Sequence, residues 1–291
     1  MTTSTSKKNI FVRTLIDHYH LGDEQELIRF WDSKNSVEEM DRIGRVHGEP
    51  KDLLINPEKA LEEIHYSWIA EAMESLPKYL YPSILASFSS AQKQQLCRQY
   101  NIEVDNLDTI PDVTKKFLLE KVYLQLEDVN EVFPLSFSPE YSLSKLLEID
   151  KNLLLELFDL LGLHDLAIKA KHIVDKRTLK YIYASLTPIR KKIFDVFLQQ
   201  QDKAQLPQID LSNWSGEPKI LKKMLHRRGI LRLSNALSGY SKDFMWHFTR
   251  RLDTGRGRIV LRYYNQEASQ LVPILTEQVQ FILNMITQKS E

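Results

Sequence analysis

Asp253-Thr254-Gly255 has the residue types of a water-activating carboxylate. An aspartate on a tight turn can share one proton with a second aspartate and direct water at a carbonyl. That chemistry needs an apolar strand leading into the triplet, and Arg250-Arg251-Leu252 stands there instead. Asp253 is therefore read as a helix N-cap, its carboxylate accepting from a free backbone N–H. His18 and His20 are two residues apart, so they miss the i, i+4 spacing of a helical metal pair, and no third ligand accompanies them. Cys97 is the sole cysteine, which excludes an intramolecular disulfide or a cysteine-built zinc site and points to a reducing compartment. Gly255-Arg256-Gly257 is too short for a phosphate loop and lacks its Lys-Ser/Thr partner. The expectation is a protein with no catalytic residue, no metal and no cofactor.

Arg251-Leu252-Asp253 with Gly255 also resembles the catalytic segment of one pseudouridine-synthase class, but only 38 residues follow Asp253, too few for the sheet that surrounds such a residue. What remains is binding chemistry, and charge locates it. Between Gly216 and Arg262 twelve Lys or Arg face three acids, Glu217, Asp243 and Asp253, although the whole chain has net charge zero. A basic C-terminal part and an acidic remainder suit an anionic partner. Arg227, Arg228, Arg250, Arg251, Arg256 and Arg258 are the candidate contacts on this side. Interleaved with Trp246, Phe248, Tyr263 and Tyr264, they also suit nucleic acid, whose phosphates take the cations and whose bases stack on the rings. Those aromatics, however, mostly fall where helical repeats place core residues.

The elements that would position these residues are helices. Glycine and proline number nine and eleven in 291 residues, and 43% of the chain is hydrophobic, which gives a globular, helix-rich composition. Met1 to Lys8 is polar, unlike a secretory signal, and no apolar run has the length of a spanning helix. Ser67–Leu96 and Asp165–Phe194 align without gaps at an offset of 98, with Trp68 on Leu166, Ala72 on Ala170, Ile84 on Ile182 and Leu96 on Phe194. Within each copy the apolar positions recur every three or four residues, the spacing of one helix face. Thr187-Pro188 is a strong helix start, with Ser89 and Asp253 at the matching places. A third copy aligns at an offset of 66 from the second: Ala236 on Ala170, Met245 on Leu179, Phe248 on Ile182, Leu252 on Leu186. Such helix pairs bury their apolar faces only by stacking, so the expected fold is all-α, an armadillo-like or HEAT-like array.

The boundaries read from turn and proline signals give a small helical N-terminal region, 1–60, with helices around Asn9–Tyr19 and Asp23–Trp31 and a turn at Gly48-Glu49-Pro50. A first armadillo-like domain spans 61–132, and a second, 140–200, follows the break from Phe133-Pro134 to Pro139. The basic third repeat and C-terminal helix occupy 207–291, after a softer joint at Gln199–Pro207.

Leu143–Phe197 resembles the C-terminal armadillo-like domain of the flagellar motor switch protein FliG, through Leu146-Leu147-Glu148-Ile149-Asp150, Asp165-Leu166-Ala167-Ile168-Lys169-Ala170 and the closing helix pair. The first copy is similar, more loosely, to that family's middle domain, with His65 keeping one residue of the Glu-His-Pro-Gln-Thr motif that contacts the next ring protein. With Trp68 and Leu76-Pro77 it also looks like accessory subunits of type III secretion sorting platforms. The stretch Lys151–Asp159, matching the family's torque helix, carries no arginine. The resemblance implies a FliG-like, non-rotating cytoplasmic adaptor, peripheral at the inner face of the cell membrane. It would join membrane-ring and C-ring or pod components, with His65 and Trp68 on one partner and the basic third repeat on an acidic protein surface.

Overall fold

The structure is a computed structural model that describes residues 7–19, 56–129, 132–135, 141–201, 209–212 and 214–288. The expected helix around Asp23–Trp31 and the Gly48–Pro50 turn lie outside the described residues. Among the described residues the fold is all-α, with thirteen α-helices, three short 3₁₀ turns and no strand. They are α1 (Lys7–Tyr19), α2 (Pro57–Glu63), α3 (Tyr66–Met73), α4 (Tyr81–Ala86), α5 (Ser90–Tyr100), α6 (Asp112–Tyr123) and α7 (Lys151–Ala170). The chain continues through α8 (Lys176–Ser185), α9 (Pro188–Leu198), α10 (Pro218–Ala236), α11 (Lys242–Arg251), α12 (Thr254–Tyr263) and α13 (Val272–Thr287).

Helix starts follow local chemistry. Asn56 accepts from the backbone N–H of Glu58 and Lys59 and Pro57 opens α2, while Asp150 and Asp175 cap α7 and α8 in the same way. Thr187 Oγ1 accepts from Arg190 N at 3.4 Å with Pro188 at the first helical turn, as expected; Ser89, at the matching place before α5, makes no such bond. Asp253 immediately precedes α12. At the other end of α5, Asn101 adopts the left-handed conformation, φ 53°, a common way to stop a helix.

The chain divides into two compact units. The first comprises 1–139 together with 242–253, and the second 140–241 together with 254–291. In the first, α2 to α6 enclose a core that includes Leu61, Ile69, Met73, Leu85, Leu119 and Val122. Trp246, from the late helix α11, belongs to this same core. Residues 242–253 thus complete a unit otherwise made from the first half of the chain.

From α7 onward the helix bounds themselves repeat along the chain. Shifted by 66 residues, α7, α8 and α9 fall on α10, α11 and α12 to within one residue at every end. Packing repeats as well: α9 lies against α7 as α12 lies against α10. The middle helices differ. α8 buries only Ile182, whereas α11 buries Phe244, Met245, Trp246, Phe248, Thr249 and Arg250, all of which belong to the first unit. At the positions of Trp246 and Arg250, α8 carries Lys180 and Ala184, which explains why it attracts no comparable cover.

Among the described residues the long helices α7 and α10 form the most extensive helix pair. They meet in parallel, because the polar partners advance together along both helices: Asp159 pairs with His226 and, six residues further on in each helix, Asp165 pairs with Arg232. At the crossing there is no room for side chains. A Cβ on Gly162 would lie 2.0 Å from the Leu225 carbonyl oxygen, and one on Gly229 would lie 1.7 Å from that of Phe158. Two glycines therefore let the backbones touch, and α13 packs on both helices beside them.

Candidate protein-interaction surfaces

Four of the sequence-derived contact residues fall in the first unit: His65, Trp68, Arg250 and Arg251. His65 caps α3, its Nδ1 accepting from Ser67 N at 3.2 Å, while its own backbone N–H donates to the Arg250 carbonyl at 2.8 Å. Trp68, 4% exposed, donates Nε1–H to the Leu252 carbonyl at 2.8 Å. Arg250, 3% exposed, sets its guanidinium 4.1 Å from the centre of the Trp68 ring and 5.2 Å from that of Trp246. The guanidinium and the Trp246 indole converge on one acceptor, the Glu127 carbonyl, at 3.2 and 2.9 Å. A cation between two aromatic faces is stabilised by their negative π surfaces, more so where water is excluded. His65, Trp68 and Arg250 thus fasten α11 within the unit, and Arg251 beside them is half-buried.

On the opposite flank of α11, Asp243 accepts from Phe133 N at 2.9 Å and His247 Nε2–H donates to the Phe133 carbonyl at 2.8 Å. Burial disfavours the charged imidazole and holds the His247 pKa below the usual 6.5, against the opposing pull of the Phe133 carbonyl and Asp243. The unfolded chain therefore binds more protons than the folded one just below pH 6.5, so this contribution to stability is complete above that value and declines as pH falls through it. Replacing His247 with Gln keeps a donor for Phe133 and removes the titration. Thermal melts between neutral and mildly acidic pH are expected to show a shallower acid decline in H247Q than in the parent. An identical decline in both would refute the assignment.

The other four candidates lie in the second unit: Arg227, Arg228, Arg256 and Arg258. Arg227 and Arg258 are exposed. Arg228 instead pairs with Asp165, whose side chain is buried between two arginines. The second of these, Arg232, is 1% exposed, donates from Nε to Asp165 at 2.7 Å and reaches Gln278 of α13 at 2.7 Å. Arg256 Nε donates to His226 Nε2 at 2.8 Å, and His226 Nδ1 in turn contacts Asp159 at 2.8 Å. Because Nε2 accepts, the ring carries its proton on Nδ1, directed at the carboxylate. Arg190 of α9 closes this chain on Asp159 at 2.5 Å. Burial pushes the Asp159 carboxyl up, but hydrogen bonds from His226 and Arg190 outweigh it and hold the group below 3.8.

Family models, curated proteins and solved structures yield no match to the chain. Asp159, Asp165 and Arg190 were not expected as site residues from sequence, although carboxylates inside the long apolar run of α7 signal charge that requires partners where it is buried. The second unit places solvent-exposed cations, Arg227 and Arg258 among them, on α10 and α12. Cys97 is buried, and burial raises its thiol pKa, so it is held in the unreactive thiol form. No helix among the described residues is long and apolar enough to cross a membrane.

Proposed function

We propose that this chain is a non-catalytic scaffold that links other proteins through the surfaces of stacked helical repeats. The observation that carries this reading is the parallel contact of α7 and α10, equivalent helices of two copies 66 residues apart. Equivalent helices stacked in register generate the extended, graded surfaces that armadillo-like and HEAT-like proteins use for binding. The narrower reading is a FliG-like adaptor at the cytoplasmic base of a bacterial type III secretion or flagellar apparatus, resting on the resemblance of Leu143–Phe197. Its partners would be ring components, met through exposed residues such as Arg227 and Arg258 rather than through the half-buried Arg228 or the buried Arg250.

The test is recovery of partners from native cells on tagged full-length protein, beside the double variant Arg227→Glu and Arg258→Glu. Ring or pod components that the variant retains less well are expected. A preparation that carries none of them would overturn the adaptor reading, and nucleic acid recovered alone, with steeply salt-dependent affinity, would replace it.

A further inference from the structure

The second unit holds twenty-one Lys and Arg against fourteen Asp and Glu, and its excess charge is not spread evenly. The mutually packed helices α10 and α12 contain no acidic residue. Arg228, Arg232 and Arg256 turn to Asp165, Gln278 and His226. Lys219, Lys222, Lys223 and Arg227 of α10 and Arg262 of α12 are exposed, and Arg258 of α12 is also solvent-accessible. On α10 Lys222 and Lys223 lie three and four residues after Lys219, and Arg227 four after Lys223, which gathers the four exposed cations on one side of the helix. Like charges gathered this way repel one another, so the arrangement is favourable when an anionic surface neutralises it.

The same helices expose aliphatic groups among the cations. Ile220 is 41% exposed beside Lys219, Lys222 and Lys223, and Leu261 is 39% exposed between Arg258 and Arg262. We infer that the exposed sides of α10 and α12 dock on an anionic phospholipid bilayer, the cations at the level of the headgroup phosphates and Ile220 and Leu261 reaching the acyl boundary beneath. Nucleic acid fits less well. It would use stacking rings, but Trp246 and Phe248 are buried in the first unit and Tyr263 is the exposed ring of these two helices. The inference stands on the placement of charge and apolar groups in the second unit and does not depend on the adaptor reading.

The test is sedimentation of the full-length protein with vesicles of phosphatidylcholine alone or of phosphatidylcholine mixed with phosphatidylglycerol. Binding to the mixed vesicles alone, weakened by salt, is the expected result. Each cation near such a surface contributes about a fivefold gain in affinity, so Lys222→Glu, Lys223→Glu and Arg227→Glu together should weaken binding at least roughly a hundredfold. A second variant, Ile220→Ser with Leu261→Ser, keeps every charge and should weaken vesicle binding about tenfold while leaving binding to heparin unchanged. Charge reversal at Lys176, Arg177 and Lys180 of α8, also exposed, serves as the control and should cost much less. Equal binding to both vesicle types, indifference to either variant, or tighter binding to a single-stranded oligonucleotide than to the mixed vesicles would each overturn the inference.

Discussion

Gly229→Ala is expected to destabilise the second unit by about 3 kcal/mol or more, although the residue lies in the middle of a helix where alanine alone would favour folding by about 1 kcal/mol. The two effects differ in sign, so the experiment discriminates between them. The obstruction is the Phe158 carbonyl, 1.7 Å from the new Cβ, and a main-chain oxygen can yield only if the helices separate. Separation strips contact from the extensive α7–α10 pair and pulls apart the ion pairs on either side. Gly162→Ala should behave alike against the Leu225 carbonyl. Together the two substitutions should cost less than their sum, since helices already parted by one methyl admit the second more easily. Urea unfolding followed by circular dichroism reads these changes, and a raised midpoint in either single variant would show that the helices do not touch as described.

Asp165→Asn is expected to cost about 3–5 kcal/mol, because it keeps the shape of the site but leaves the Arg228 and Arg232 guanidinium groups without their countercharge. Asp165 is 1% exposed, as is Arg232, so water does little to replace the lost pairing. Adding Arg232→Met to the asparagine variant should recover part of the loss, since an apolar chain of similar length tolerates the site better than an unpaired cation. The comparison is a set of three denaturation curves. An asparagine variant within about 1 kcal/mol of the parent would mean that the buried charge is compensated elsewhere.

The all-helical class was legible from composition and apolar spacing, because both depend on near neighbours in the chain. Thr187-Pro188 was readable as a helix start for the same reason: cap and first turn are adjacent residues. The offsets of 98 and 66 found by apolar alignment reappear in helix bounds, with α5 falling on α9 at both ends and α11 on α8 at both ends. The candidate contacts were less readable. Arg228 and Arg227 are neighbours of the same type, yet one turns to a buried aspartate on α7 and the other to solvent. Sequence locates charge but not the partner that consumes it. Arg250 illustrates the limit further, for Trp68 lies in a distant part of the chain and only the assembled unit brings the two together. The glycine crossing was invisible for a related reason, since Gly162 and Gly229 matter through the opposite backbone and not through any local turn.

The inclusion of 242–253 in the first unit also governs the order in which the protein matures during synthesis. Residues 1–139 leave the ribosome well before the segment that supplies Trp246 and Arg250 to their core. At roughly 5–20 residues per second, the intervening stretch delays completion by several seconds to tens of seconds. Throughout that interval Trp68 lacks its guanidinium partner, and the apolar ground that α11 later covers is open to chaperones or to another nascent chain.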